Sequence, residues 1–120
     1  PAVAAWVALQ RAHELFLCAP VMAELRYGVV KLPPGRKRDD LAERYDRLRQ
    51  EFRSRIFGFD LKAAEAFAEI IVARTAAGAP IQTMDAQIAA IARARTAVVA
   101  TRNLRDFQGC GVALIDPWAN

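Results

Sequence analysis

Apolar residues along this 120-residue chain alternate between two periods, one suited to helices and one to short buried strands. Val3, Trp6, Val7 and Gln10 repeat at helical spacing and predict a helix over 2–11. Leu15-Phe16-Leu17-Cys18-Ala19 is a compact apolar run, read as a buried strand. Pro20 suits the first position of the next helix, whose predicted face is Val21, Leu25, Val29 and Leu32. Leu32-Pro33-Pro34-Gly35 ends that helix. Arg36-Lys37-Arg38 then reads as an exposed basic loop before a charged helix over 39–54, with Leu41, Tyr45, Leu48 and Phe52 as its apolar seam.

The second half continues the alternation. Residues 55–59 read as a strand, and Asp60 is the predicted cap of a helix over 61–77 that buries Leu61, Ala64, Phe67 and Ile71. Gly78-Ala79-Pro80 closes it. Thr83 is the predicted N-cap of a further helix. Ala97-Val98-Val99-Ala100-Thr101 is a continuous apolar strand, as in parallel sheets covered on both faces. Asn103 and Asp106, three apart, resemble a capping box. Gly109-Cys110-Gly111 is a turn, 112–115 the last strand, and Asp116-Pro117-Trp118 the end of the domain. Strands alternating with helices imply a single α/β domain over 1–120, with a mostly parallel sheet carrying helices on both faces. Chains of this order open on a strand rather than a helix, so an N-terminal strand is expected to be missing before Pro1.

Composition narrows the chemistry. Hydrophobic residues make up 54% of the chain, enough for a real core, but no apolar run approaches a membrane span. No secretory signal is visible, and the expected compartment is the cytoplasm. Cys18 and Cys110 stand in unrelated contexts and read as reduced thiols in or near the core. His13, the one histidine, has no partner pattern. Histidine catalysis and zinc binding are thus unsupported. The net charge of +4 is uneven: residues 26–55 carry ten Lys/Arg against five Asp/Glu. Such a surface attracts polyanions such as nucleic acid. It equally describes a solvated helix laced with ion pairs such as Asp40–Arg44 and Glu43–Arg47.

The carboxylates decide more. Asp85, Ile88, Ala89 and Ala92 share one otherwise apolar helix face. A carboxylate there is paired, bound to metal or facing a cleft, or is an ordinary first-turn aspartate meeting the helix dipole. Glu24 borders the face of its helix with Gly28 one turn on, and reads either as open to a site or as solvated. Ligands on parallel sheets bind beyond the carboxyl ends of the strands. Glu24 and Asp106 follow strands directly, and Asp85 joins them if its helix start faces the same edge. Clustered carboxylates repel unless a hard cation such as Mg²⁺ or Mn²⁺ joins them.

These residues resemble a known family. Met22-Ala23-Glu24-Leu25, Gly28 and Leu32-Pro33-Pro34-Gly35-Arg36-Lys37-Arg38 are similar to the first part of the VapC-type toxins of the PIN-domain ribonucleases. Pro80-Ile81, Asp85-Ala86-Gln87-Ile88-Ala89-Ala90-Ile91-Ala92 and Ala100-Thr101-Arg102-Asn103 with Asp106-Phe107 are similar to their second, more specific part. Gly109-Cys110-Gly111-Val112 and Ile115-Asp116-Pro117-Trp118 fit one subgroup. The resemblance implies a three-layer PIN-like fold and a Mg²⁺- or Mn²⁺-dependent endoribonuclease that cleaves RNA with metal-activated water. It makes Glu24, Asp85 and Asp106 the catalytic, metal-holding carboxylates, with Thr101 and Asn103 as supporting polar residues. Arg36, Lys37 and Arg38 are the candidate RNA contacts. It further implies a homodimer neutralised by a VapB-like antitoxin, and no membrane partner. The 41–52 seam and the helix from Met22 to Val29 are candidate contact surfaces.

The family opens with a strand ending in an aspartate, in a motif like Leu-Asp-Thr-Asn-Val. Here the first aspartate is Asp39. If that segment is absent from the molecule, little nuclease activity is expected. The competing reading is then a catalytically incomplete PIN-fold remnant acting as a protein-binding module. A receiver-like signalling domain also clusters acids on a parallel sheet, but Lys31, Lys37 and Lys62 are the only lysines and none ends a late strand.

Overall fold

The computed structural model describes residues 15–117, arranged as two compact units, one running from Leu15 to Gly58 and the other from Phe59 onward. The helix predicted over 2–11, His13 and Trp118 lie outside the described residues.

In the first unit, strand β1 (Leu17–Cys18) leads directly into helix α1 (Ala19–Val30), and helix α2 (Arg36–Glu51) is joined by a four-residue turn to strand β2 (Ile56–Phe57). β1 and β2 pair in parallel, Leu17 opposite Ile56 and Cys18 opposite Phe57. Both strands are shorter than predicted. Side chains lock the short pair: the Phe16 and Phe57 rings stack 4.6 Å apart, and Arg55 Nη1 donates to the Leu15 carbonyl at 2.8 Å. Cys18 is the N-cap of α1, so Pro20 sits at the second helical position, one later than predicted. Burial pushes the Cys18 thiol up, its hydrogen bond with the Val21 backbone pulling partly back, so it stays a neutral thiol.

Of the predicted α1 face Val21–Leu25–Val29–Leu32, only Val29 is fully buried; Pro20 and Met22 are buried with it, Val21 and Leu32 are half-buried, and Leu25 is 41% exposed. The buried line is rotated by less than a quarter turn from the predicted one and shares Val29 with it, and apolar spacing alone accommodates either. α2 begins three residues before its predicted start. Arg36, Lys37 and Arg38 are therefore its first turn and not a loop, and the helix stops at Glu51 rather than 54. Its seam residues Leu41, Tyr45, Leu48 and Phe52 are all half-buried. Tyr45 lies under the Arg26 guanidinium of α1, 5.4 Å from the ring centroid. Glu43 and Arg47 form the predicted pair at 3.5 Å, fully on the surface.

The second unit packs helix α3 (Leu61–Ala76) on helix α4 (Thr83–Ala94), followed by strand β3 (Val98–Ala100), helix α5 (Leu104–Phe107) and strand β4 (Ala113–Ile115). Asp60 caps α3 as predicted, its carboxylate accepting from the Ala63 N–H at 3.0 Å. The buried stripe of α3 is Ala63, Ala66, Ile70 and Arg74. It lies one residue round from the predicted one: Ala64, Phe67 and Ile71 are only half-buried and Leu61 is 76% exposed. Small alanines at Ala66, Ala86, Ala89 and Ala90 set the core, because they let two helix backbones approach at little side-chain entropy cost. Ile70, Val99, Phe107 and Cys110 fill the remainder.

α3 ends on a Schellman motif, with Gly78 at φ +71°, Ala79 N–H donating to Arg74 O and Gly78 N–H to Thr75 O. Gln82 rather than Thr83 is the N-cap residue of α4, a one-residue difference. α4 ends on the same motif, but with Thr96 at φ +53° where glycine is favoured. A β-branched residue is strained in the left-handed region. Thr96→Gly is expected to stabilise the protein by about 1 kcal/mol, read from urea unfolding. An unchanged or lower midpoint would contradict that strain.

β3 and β4 pair in parallel, Val98 opposite Ala113 and Ala100 opposite Ile115. The expected burial of both strand faces is corrected: Val99 is buried, but Val98 is 58% exposed and Ala100 is exposed as well. Alternation along a strand turns Val99 into the α4 core and its neighbours away from it. Both described strand pairs are parallel and each is joined through helices, so the α/β class read from the sequence holds.

Candidate active site

Two of the predicted carboxylates stand at helix starts within the second unit. Asp85 lies in the first turn of α4, where the uncompensated N–H groups and the dipole favour a negative charge. It is half-buried, on the face that carries the buried Ala89 and Ala92. Asp106 is in the four-residue α5, exposed, next to the buried Phe107. α4 and α5 are in contact. Glu24 is exposed on α1 in the first unit, as are Arg36 and Lys37 in α2.

The frame around Asp106 differs from the predicted capping box. Asn103 is the N-cap residue of α5 but makes no side-chain cap hydrogen bond. Instead the half-buried Thr101 Oγ1 accepts from the Asn103 N–H at 3.0 Å. A hydroxyl two residues back offers the backbone a local turn, which competes with capping. Thr101 N–H in turn donates to the Ile115 carbonyl at 2.9 Å, continuing the β3–β4 ladder. The predicted supporting residues thus brace the β3–α5 link.

The residue that sequence reasoning missed is Arg74, in the last turn of α3 and only 8% exposed. Its Nε donates to Ala79 O at 2.7 Å, and its Nη1 to Asp106 O at 2.8 Å and Gln108 O at 3.0 Å. Its Nη1 also lies 3.6 Å from the buried Cys110 Sγ. The available signal was its place on the Ala63–Ala66–Ile70 stripe, where a charge must find acceptors. Ala79, Pro80, Arg105 and Asp106, with Arg74, line a cleft of about 420 Å³ in this unit.

Asp85 and Asp106 offer only carboxylate oxygens. That donor chemistry fits a hard cation such as Mg²⁺ or Mn²⁺ and not a soft one. Among the described residues, no three His, Cys, Asp or Glu side chains form a group that could hold a metal ion. No helix among them is long and apolar enough to cross a membrane.

Residues 1–109 match the family described as PIN domain. The plasmid stability protein StbB of Pseudomonas syringae pv. tomato is 38% identical over 114 residues, spanning 94% of this chain and 82% of that protein. The VapC ribonuclease Y4jK of Sinorhizobium fredii is 34% identical over 118 residues, 98% of this chain and 84% of that one. Among solved structures, FitAB bound to an IR36 DNA fragment superposes with a TM-score of 0.94 at 33% identity, covering 99% of this chain and 84% of that one.

Proposed function

This chain belongs to the PIN-domain family, with VapC-type relatives along nearly its whole length, and from that premise we propose that it is a metal-dependent endoribonuclease. In this reading it is the toxin of a type II toxin–antitoxin pair, acting in the cytoplasm as one PIN domain over 1–120. The observation that carries the reading is the pair Asp85 and Asp106, each in the first turn of a helix, on two helices that touch. The likeness to VapC ribonuclease Y4jK supports the substrate class, and the likeness to FitAB supports an antitoxin partner of the VapB kind. The self-partner of this reading is a second copy of the chain, forming a homodimer.

In this mechanism Asp85 and Asp106 would hold Mg²⁺ or Mn²⁺ through carboxylate oxygens, and Glu24 is the third carboxylate that the family resemblance implies. Such an ion, when bound, would supply positive charge beside the scissile phosphate and activate water for attack. Thr101 and Asn103 hold the β3–α5 link, and with it Asp106, against the strand ladder. Arg36, Lys37 and Arg38 attract the RNA backbone by charge.

The test is RNA cleavage by the purified full-length protein with Mn²⁺ or Mg²⁺, and with EDTA. Cleavage that needs the divalent ion and stops with EDTA is the expected result. A folded protein that never cleaves RNA would instead favour the protein-binding remnant.

A second prediction concerns the basic turn. Replacing Arg36, Lys37 and Arg38 together by Gln is expected to weaken RNA binding and to make its log K–log salt slope shallower by up to about 2, at ~0.7 per phosphate contact on a single strand. Their place in a helix turn makes the cluster more rigid than a loop. An unchanged slope would reduce the triplet to a solvated helix end.

A further inference from the structure

We propose that Arg74 is a positioning residue that sets the metal-holding carboxylate of Asp106 and ties its segment to the link that enters the Asp85 helix. The inference rests on the reading of Asp106 as a metal ligand.

Its basis is the distribution of the guanidinium bonds. Arg74 Nε binds the Ala79 carbonyl in the link between α3 and α4. Nη1 binds the carbonyls of Asp106 and Gln108, more than thirty residues away in sequence. One planar, permanently charged fork therefore joins the approach to Asp85 with the residue Asp106 itself.

α5 needs such a pin. Four residues are far below the length at which a helix holds itself, and its N-cap residue makes no side-chain hydrogen bond. Asp106 is held through its main chain from both sides: its N–H donates to Asn103 O at 3.1 Å and its C=O accepts from Arg74. A cation at the C-terminal carbonyls of a helix is also electrostatically favourable. Gly109, at φ +76°, carries the chain past the arginine stem in a conformation that other residues rarely adopt. A Cβ there would lie 3.6 Å from Arg74 Cδ. That is ordinary contact, so Gly109 is required by its φ and not by crowding against Arg74. Partners that orient metal ligands matter to affinity by about 10–100-fold in general, without touching the ion.

The experiment is a double-mutant cycle of Arg74→Lys and Asp106→Asn in the full-length protein. It is read by calorimetric titration with Mn²⁺ alone and by amide hydrogen exchange. Lysine keeps the charge but cannot reproduce the fork to three carbonyls. Arg74→Lys is expected to weaken Mn²⁺ binding about 10-fold. In the Asp106→Asn background it is expected to change the affinity less than about twofold, because the ligand through which it acts is already gone. Amides 104–108 are expected to exchange faster in Arg74→Lys, while those of Ile70 and Ile91 keep their protection. Equal weakening in both backgrounds, or unchanged affinity and exchange, would overturn the proposal. If Asp106→Asn alone leaves Mn²⁺ binding unchanged, it is the ligand reading that falls. The exchange data then decide the pin separately: faster exchange at 104–108 supports it and unchanged exchange removes it. Should Arg74→Lys fail to fold, Arg74→Gln, which keeps an amide donor, takes its place in the cycle.

Discussion

Asp85→Asn is expected to lower RNA cleavage by more than about 100-fold while the protein stays folded. The substitution keeps the size of the side chain and one oxygen, and removes only the charge. In the first turn of α4, that charge is worth about 0.3–1 kcal/mol to the helix through its dipole. Stability should therefore move by less than about 1 kcal/mol, whereas a metal ligand has no substitute. Single-turnover cleavage, Mn²⁺ titration and urea unfolding of the same preparation separate the two effects. An unfolded variant would make Asp85 an ordinary helix-start residue. A folded variant with undiminished cleavage would remove it from the metal site.

Arg74→Met is expected to cost roughly 3–5 kcal/mol of stability. Methionine refills the volume of the arginine stem, so packing is largely retained. What is lost is a charged donor serving three backbone carbonyls, Ala79, Asp106 and Gln108. A buried ion can sometimes be replaced by an apolar side chain at no cost, provided both partners are replaced. Backbone carbonyls cannot be, so they would remain without their donor. Urea unfolding monitored by circular dichroism measures the loss directly. A loss below about 1 kcal/mol would mean that water in the adjoining cleft takes over the carbonyls.

Both residues occupy helices that were legible in the sequence, yet only one was legible as a candidate site residue. Asp85 stood out because it interrupts an apolar face at helical spacing. Arg74 interrupts one too, on the Ala63–Ala66–Ile70 stripe, but the apolar residues beside it, Ala64, Phe67 and Ile71, form an equally regular line. Periodicity is nearly blind to a rotation of one residue when two adjacent lines are both apolar. The same ambiguity turned the buried stripe of α1 from Leu25 toward Met22, with the predicted Val29 kept.

Local chemistry was sufficient wherever the interacting groups are near neighbours in the chain. The order of helices and strands, the Asp60 cap, the left-handed Gly78 and the first-turn place of Asp85 all follow from contacts within a few residues, and the sequence by itself determined them. Tertiary structure alone decided the rest. It chose which apolar line α3 buries and left Val98 exposed beside the buried Val99. It also buried Arg74, because the acceptors that make this tolerable, the carbonyls of Asp106 and Gln108, are brought to it only when α3 and α5 belong to one packed unit.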